Sequence, residues 1–230
     1  MYITGADAIA TIRAKTDTIL LAFSGGKDAV GAWLECRKHF PHVVPYYMYI
    51  VPGGLEFIDE SLKYYEGWFG ERIHRIPHPS LYRMLNNFVF QPPERTEIIR
   101  AAMLPNPSYL DSQDELRDSL GLGRECYVAD GVRAADSPIR QLAWRRYGPI
   151  NHNTAKFSPI IDWNIARLAD EIEASGVRLP VDYRIFGRSF DGLDFRFLEP
   201  LKRHFPRDYE RILQWFPLAD IELFRRGHAI

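Results

Sequence analysis

Thr18-Ile19-Leu20-Leu21-Ala22-Phe23-Ser24-Gly25-Gly26-Lys27-Asp28 is the stretch of this sequence that decides the fold. Residues 18–23 form a continuous apolar run with polar flanks, which predicts a strand buried on both faces. A glycine-rich loop follows over residues 24–28, and a helix is predicted over residues 29–39. Strand, glycine loop and helix in this order predict that the loop lies at the carboxyl edge of a parallel sheet, where such proteins bind ligands.

The rest of the chain continues the alternation of strand and helix. Further strands are predicted at residues 43–51, 73–76, 126–129 and 157–161. Helices are predicted at residues 56–69, near 94–103, from a capping box at 112–115 to Gly121, and at 140–146, 164–175 and 209–216. This alternation predicts the fold class: α/β, with a doubly wound, mostly parallel five-stranded sheet, helices on both faces and a helical C-terminal appendage.

The totals place the chain among globular proteins and limit its classes of function. Its 230 residues are 46% hydrophobic and 26% charged, and the formal net charge of -1 argues against the global basic field that many nucleic-acid binders carry. The longest apolar runs are far shorter than the roughly 20 residues that a membrane span needs, and no signal peptide is recognised. We therefore expect a cytoplasmic protein with no membrane contact.

Cysteine usage argues against a metal centre. The two cysteines, Cys36 and Cys126, form neither a CxxC pair nor a cluster, so we expect no cysteine-ligated iron–sulfur cluster and no four-cysteine zinc site. No zinc site is inferred from the histidines either. Both thiols are expected to be buried and to pack as small apolar groups.

The loop at residues 24–28 is suited to binding phosphates. Gly25 and Gly26 let the backbone turn tightly and approach a ligand, and the following helix adds its positive N-terminal dipole. Lys27 supplies a cationic contact and the Ser24 hydroxyl a hydrogen bond. Asp28 is better explained as a ligand of Mg²⁺ carried by the phosphates, or as a helix cap. The alternative is a glycine turn that binds nothing, since the loop matches neither GxxxxGK[ST] nor GxGxxG.

Ser-Gly-Gly-Lys-Asp after a first strand resembles the PP-loop of the ATP pyrophosphatase superfamily (adenine nucleotide alpha hydrolase-like proteins). Two later elements resemble the branch related to phosphoadenosine phosphosulfate (PAPS) reductases. They are Gly131-Val132-Arg133-Ala134-Ala135-Asp136-Ser137, with Arg140 three residues on, and Lys156-Phe157-Ser158-Pro159-Ile160-Ile161-Asp162-Trp163. The ordered elements span roughly residues 15–190, which makes the match more specific than the loop alone.

Departures from the family narrow the chemistry. Position 29 is Ala where the PP-loop usually has Ser or Thr, so one hydroxyl is missing, a loss of about 1 kcal/mol in binding. No cysteine follows Cys126, whereas the reductases attack with a cysteine near the C-terminus, so thiol-dependent reduction is rejected. Arg167 stands where the family tends to have Asp.

What remains is the chemistry that the superfamily shares. The resemblance implies a HUP-like nucleotide-binding domain at residues 1–176 and an appendage at residues 177–230 packed on the same domain. Such enzymes split ATP between the α and β phosphates, adenylate a carbonyl or similar oxygen of an acceptor, and release pyrophosphate. The alternatives are a protein that binds PAPS or APS and uses an external thiol, and a non-catalytic nucleotide-binding or partner protein.

The motif matches assign site residues by position. The expected cofactors are ATP, or a related adenine nucleotide, and Mg²⁺. The catalytic candidates are Lys27, Asp28 and Arg133, and the Mg²⁺ candidates are Asp28 and Asp136. The expected nucleotide-binding residues are Ala22, Phe23, Ser24, Gly25, Gly26, Lys27, Asp28, Gly131, Arg133, Asp136, Ser137, Arg140 and Lys156.

Two single residues and one group of residues keep two interpretations each. His78, between two prolines, is a candidate acid or base, although a lone histidine is more often structural. Asp130 either caps a turn or acts in the site. The group forms either a nucleic-acid surface or a solvated face over a small aromatic core. Its members are Arg145, Arg146, Arg184, Arg188, Arg196, Lys202 and Arg203, with Tyr183, Phe186, Phe190, Phe195 and Phe197.

Some properties lie beyond the sequence. The acceptor molecule is unidentified, and nucleic acid is one open class of partner. Oligomeric state is undetermined, so a homo-oligomer stays open. The role of residues 188–230 is unassigned.

Overall fold

The computed structural model of the protein describes residues 2–227, in which helices and strands alternate along the chain. The strands are β1 (Thr18–Ala22), β2 (His42–Tyr49), β3 (His74–Pro77), β4 (Val128–Ala129), β5 (Ile150–Asn151) and β6 (Lys156–Phe157). The helices are α1 (Gly5–Arg13), α2 (Lys27–Cys36), α3 (Glu56–Phe69), α4 (Pro79–Asn86), α5 (Thr96–Ala101), α6 (Tyr109–Ser119), α7 (Pro138–Tyr147), α8 (Ile165–Ser175), α9 (Val181–Phe186), α10 (Phe195–His204), α11 (Pro206–Trp215) and α12 (Ile221–Gly227). None of the helices in this range combines the length and the apolar composition that crossing a bilayer requires.

The strands of residues 2–227 form one sheet in the order β3-β2-β1-β4-β6-β5. β1 pairs in parallel with β2 and β4, β4 pairs in parallel with β6, and β5 runs antiparallel to β6. The predicted class, α/β with a mostly parallel sheet, is confirmed. The prediction of five strands misses β5, because Ile150 and Asn151 form no apolar run and become a strand only by pairing with β6.

β1 is buried on both faces, as its continuous apolar sequence predicts. Ile19, Leu20 and Leu21 are fully buried, although successive side chains of a strand point to opposite faces. α2, which follows β1, approaches α8 closely: a Cβ on Gly31 would lie 2.3 Å from Leu168 Cδ1. Packing on both sides therefore holds the strand and the helix that flank the glycine loop.

The start of α6 differs from the prediction because two capping signals compete. The reciprocal bonds of a capping box form between Ser108 and Asp111: the Asp111 amide donates to Ser108 Oγ (3.1 Å), and the Ser108 amide donates to Asp111 Oδ2 (2.7 Å). Ser112 lies inside the helix, where its hydroxyl donates to the Ser108 carbonyl. The predicted box at residues 112–115 is therefore wrong, and the helix begins at Tyr109.

The strands predicted at residues 126–129 and 157–161 are shorter than expected. Pairing between them is confined to Val128–Ala129 and Lys156–Phe157. Beyond Phe157 the chain turns, with the Trp163 amide donating to the Ile160 carbonyl (3.0 Å). Ile160 and Ile161 are buried without belonging to a strand, so burial rather than pairing explains their apolar sequence.

The chain divides into two compact units. The second has an aromatic core in which Phe57 contacts Phe186, Phe190 and Phe205, and Phe197 is fully buried. These rings support the interpretation of an aromatic core over that of exposed stacking platforms. The first unit consists of the residues up to 47, 64–75 and 113–179, and the second of 48–63, 76–112 and the residues from 180 onward. The predicted domain boundary between 176 and 177 stays a prediction.

Candidate functional site

The carboxyl ends of β1 and β4 lie side by side where the sheet changes its direction of growth. From β1 the chain continues to β2 on one side, while β4 pairs with β1 on the other. Parallel sheets bind ligands in the crevice at such a switch point. The loop at residues 24–28 follows β1 and residues 130–133 follow β4, so two of the three predicted sequence elements meet at this edge.

The loop has free space beside Gly25, although both of its glycines are buried and only Ser24 is exposed. Gly25 has a φ of +76°, a backbone conformation that residues with a side chain rarely adopt. A Cβ placed on Gly25 would meet no atom within 4 Å. Gly26 is the N-cap residue of α2, and no side chain of the described residues caps this helix. The Gly26 amide donates to Ser24 Oγ (3.3 Å), which leaves the hydroxyl proton of Ser24 for an acceptor on a ligand. An anion at this edge would therefore meet the open start of a helix and a hydroxyl donor.

Phe23 anchors the loop to the sheet. Its amide donates to the Tyr46 carbonyl (2.9 Å), and its buried ring packs edge-on against Trp33 and Tyr65 at 4.9 and 5.0 Å between ring centroids. Ala22 ends β1 in register with Tyr46. These two residues fix where the loop begins, and their predicted contact with a nucleotide stays a prediction.

A buried guanidinium joins the loop to the end of β4. Arg133, only 3% exposed, donates from Nε to Asp28 Oδ1 (2.7 Å) and from Nη2 to Asp136 Oδ1 (2.6 Å). The other oxygen of each carboxylate is also paired, because Lys27 Nζ lies 2.9 Å from Asp28 Oδ2 and Arg140 Nη1 lies 2.7 Å from Asp136 Oδ2. Three cations and two anions leave this cluster, which we call the Arg133 cluster, with a net positive charge beside the loop.

Gly131 lets the end of β4 contact the first turn of α2. A Cβ on Gly131 would lie 2.8 Å from the carbonyl carbon of Asp28 and 2.9 Å from both its carbonyl oxygen and the Ala29 nitrogen. Because these are backbone atoms, any other residue would push the strand end and the helix apart. Gly131 thus allows the short distance over which Arg133 reaches Asp28. A direct contact of Gly131 with a nucleotide stays a prediction.

Asp28 and Asp136 do not fit as ligands of a resident Mg²⁺ ion in this arrangement. Each of their four carboxylate oxygens faces a guanidinium or ammonium group. Across residues 2–227, no group of three or more histidine, cysteine or acidic side chains is arranged to hold a metal ion. The predicted Mg²⁺ contacts thus find no support, and the two carboxylates orient Arg133 instead.

Asp130, which follows β4, and Lys156, in β6, are charged groups close enough to influence each other. Asp130 Oδ1 accepts hydrogen bonds from the Ser158 hydroxyl (2.7 Å) and the Val132 amide (3.1 Å), the latter being the turn cap that the sequence left open. Burial raises the pKa of Asp130, although these bonds and Lys156 oppose the shift. Burial also lowers the pKa of Lys156, against the attraction of Asp130. The site therefore holds an acid and a base that are each closer to neutrality than exposed groups are.

A cavity of about 590 Å³ opens beside this pair. Its volume lies in the usual range for small-molecule sites. Ser158 belongs to the quoted Lys156 motif and could have been singled out there. The aromatic residues of the cavity lining could not have been identified from the sequence, because only the pairing of β5 with β6 brings them beside β4. The lining combines Asp130, Arg140 and Lys156 with Trp144, Tyr147, His152 and Ser158.

Ser137 and His78 make local structural contacts. Ser137 caps α7, with its Oγ accepting the Arg140 amide (3.2 Å), and a site role for it stays a prediction. His78 caps α4 through Nδ1, which accepts the Ser80 amide (2.9 Å), while Nε2 lies 3.1 Å from the Tyr109 hydroxyl. Burial lowers the pKa of His78, which favours a neutral ring. These contacts favour the structural interpretation of His78.

Both cysteines are buried, as predicted. Burial raises the pKa of Cys126 to about 11 and that of Cys36 well above its ordinary value. Since the thiolate is the reactive form, neither thiol is activated as a nucleophile.

Comparison with known proteins finds similar solved structures. A phosphoadenylyl-sulfate (PAPS) reductase from Candida auris, solved as a phosphate complex, is 9% identical with a TM-score of 0.47, over 77% of this chain and 81% of that one. An NH3-dependent NAD synthetase from Campylobacter jejuni subsp. jejuni, solved with a nitrate ion, is 15% identical with a TM-score of 0.45, over 96% of this chain and 94% of that one. No protein-family model and no curated protein matches the chain. The likeness to both structures concerns the fold.

Proposed function

We propose that this chain is a PP-loop enzyme that binds ATP at residues 24–28, cleaves it between the α and β phosphates and transfers the adenylyl group to an oxygen of an acceptor molecule. One observation supports the proposal: a glycine turn with free space beside Gly25, and a helix start that no described side chain caps, lie at the switch point of the sheet beside a cluster with a net positive charge. Phosphates complement both the donors and the charge.

The reaction asks the protein mainly for positioning and charge neutralisation. We assign the β and γ phosphates to the loop and give Lys27 and Arg133 the task of neutralising charge. The acceptor oxygen attacks the α-phosphorus, a new P–O bond forms as the α–β bridging bond breaks, and pyrophosphate leaves with the bonding electrons. Arg133 suits this task because Asp28 and Asp136 hold its guanidinium in place before a ligand arrives.

The loop is tested by Gly25→Val, with Gly70→Val as its matched control. Gly70 ends α3 with the same φ of +76° and the same open space for a Cβ, but it lies outside the loop. Both variants should lose about 1–2 kcal/mol of unfolding free energy, because each forces a side chain into a left-handed conformation. Only Gly25→Val should abolish ATP binding in titration calorimetry. Wild-type affinity in Gly25→Val, or an equal loss in Gly70→Val, would refute the loop assignment.

Turnover separates adenylation from its alternatives. Pyrophosphate release from ATP and Mg²⁺, dependent on an added acceptor, is the expected result. Stronger binding of PAPS than of ATP in the same calorimeter would favour a sulfonucleotide protein that uses an external thiol. ATP binding without turnover across a broad set of acceptors would favour the non-catalytic alternative.

A further inference from the structure

α7 is an exposed helix with a strongly one-sided charge. None of its described side chains is buried, and it carries Arg140, Arg145 and Arg146 without any acidic residue. The absence of acids extends from residue 137 to residue 161, a segment that also contains Lys156. In a chain whose net charge is -1, this segregation marks α7 and the β5–β6 hairpin as a surface for a polyanion.

Aromatic rings are interleaved with these arginines. Arg146 lies over the ring of Tyr147 (5.1 Å to the centroid), and Arg145 lies over the ring of Tyr2 (5.9 Å). The two tyrosines are 70% and 55% exposed, respectively. Trp144 extends the group, with its ring centroid 5.8 Å from that of Tyr2. Alternating cations and exposed rings are the pattern with which proteins bind single strands, because phosphates contact the cations and bases stack on the rings.

The cavity of about 590 Å³ adjoins this surface, because Arg140, Trp144 and Tyr147 of α7 belong to its lining. Asp130 belongs to its lining, and among the described residues the Ser158 hydroxyl and the Val132 amide both donate to Oδ1 rather than Oδ2. Oδ2 can therefore accept a donor from a ligand, and Lys156 lines the same cavity with a cationic group. An acceptor and a donor side by side match the edge of a nucleobase, which presents N–H and C=O groups next to each other.

We propose that α7 and the β5–β6 hairpin bind single-stranded RNA, and that one base of the RNA enters the cavity of about 590 Å³. RNA is favoured because the hairpin exposes polar side chains at His152 and Asn153, which suit ribose hydroxyls, while Asn151 Oδ1 already accepts the amides of Asn153 and Thr154. The base carbonyl then lies beside the carboxyl ends of β4 and β6. That the base is the oxygen acceptor of the adenylation rests on the proposed function, whereas the binding of RNA does not.

Fluorescence anisotropy with a labelled, unstructured RNA of about 20 nucleotides tests the surface, over about 50 to 300 mM salt. Contacts from the three arginines of α7 predict that log Kd rises with log salt with a slope of about 2, from about 0.7 per contact. Arg145→Ala/Arg146→Ala should weaken binding about tenfold or more and lower that slope by about 1.4. The matched control, Lys202→Ala/Arg203→Ala on α10, removes the same charge elsewhere and should leave the affinity nearly unchanged. An equal loss in both pairs would overturn the assignment of the surface.

The stacking of an RNA base on the protein is tested with a variant that leaves the charge of the protein unchanged. Tyr147→Ala should weaken RNA binding about tenfold at an unaltered salt slope, because it removes a stacking ring and no cation. Inorganic polyphosphate, which has no bases, should compete only weakly. If polyphosphate competes as well as RNA does, the proposed binding of a base is wrong. If DNA of the same sequence binds equally well, the proposed preference for RNA is wrong. Circular dichroism should show the same helical content in all variants, as expected for changes on an exposed helix.

The two proposals fail separately. RNA binding is measured without ATP, and ATP binding is measured on the unmodified chain without RNA. If ATP fails to bind while RNA binds as described, the proposed function is wrong and the RNA surface stands. If ATP binds and RNA does not, the RNA surface is wrong and the nucleotide site stands.

Discussion

At the scale of single residues, Arg133 shows how burial turns an ordinary ion pair into a positioned group. Its guanidinium is almost fully buried and bridges Asp28 and Asp136, while Arg140 pairs with the same Asp136 from a side chain that is 49% exposed. Water screens the exposed pair but hardly reaches the buried one. The two arginines therefore differ in what they contribute, although both belong to the same sequence motif.

This difference predicts unequal losses of stability for two similar substitutions. Arg133→Met should lower the unfolding free energy by about 3 kcal/mol, because it takes away the buried partner of two carboxylates. Arg140→Met should cost less than about 1 kcal/mol, because its pair is exposed. Urea denaturation of both variants measures this. Equal costs would show that Arg133 is not the centre of the cluster.

At the scale of elements, the side chain that accepts the first amides of a helix can come from a distant part of the chain. α3 is an example: the amides of Glu56 and Phe57 donate to Asp208 Oδ1 (2.6 Å) and Oδ2 (3.1 Å), and Asp208 belongs to α11. The range of α3 was predictable from its own sequence. Its cap was not, because the two segments are separated by about 150 residues.

We expect the Asp208 cap to contribute to the free energy of unfolding through both of its carboxylate oxygens. Asp208→Asn keeps one acceptor and turns an NH₂ group towards the other amide, so it should lower the unfolding free energy by about 1–2 kcal/mol. Glu210→Gln removes the same charge from an exposed position of α11 and serves as the control. Chemical denaturation compares the two, and an Asp208→Asn protein as stable as Glu210→Gln would contradict the role of the cap.

At the scale of the whole molecule, the proposed nucleotide site would link ligand binding to folding, because the loop and the Arg133 cluster meet only when β1 and β4 are paired. ATP at about one hundred times its Kd should raise the unfolding free energy by about 2.7 kcal/mol, since only the folded chain binds it. Thermal unfolding with and without ATP and Mg²⁺ measures the shift. Gly25→Val should show no shift, and an unshifted transition of the unmodified chain at saturating ATP would argue against a site built by the fold.

The net charge of the whole chain also conceals how its charged residues are distributed. A net charge of -1 argues correctly against a global basic field, yet residues 137–161 carry four basic residues and no acid. The basic residues further along have nearby acids: Arg188 pairs with Asp191, and Arg196 pairs with Asp194. The structure thus separates two groups of cations that the sequence analysis treated as one.

The sequence by itself determined the alternation of strands and helices, the buried strand β1 and the glycine loop that follows it, because burial on both faces and a left-handed turn each demand particular residues at adjacent positions. The helix α8 (Ile165–Ser175) was predictable for the same reason, since its N-cap Asn164 and its C-cap Gly176 lie next to it. Only the tertiary structure decided that Arg133 would hold Asp28 across two strands and that β5 would complete a cavity beside β4. Those outcomes depend on distances between residues about 20 to 100 positions apart, which packing sets and local sequence patterns do not encode.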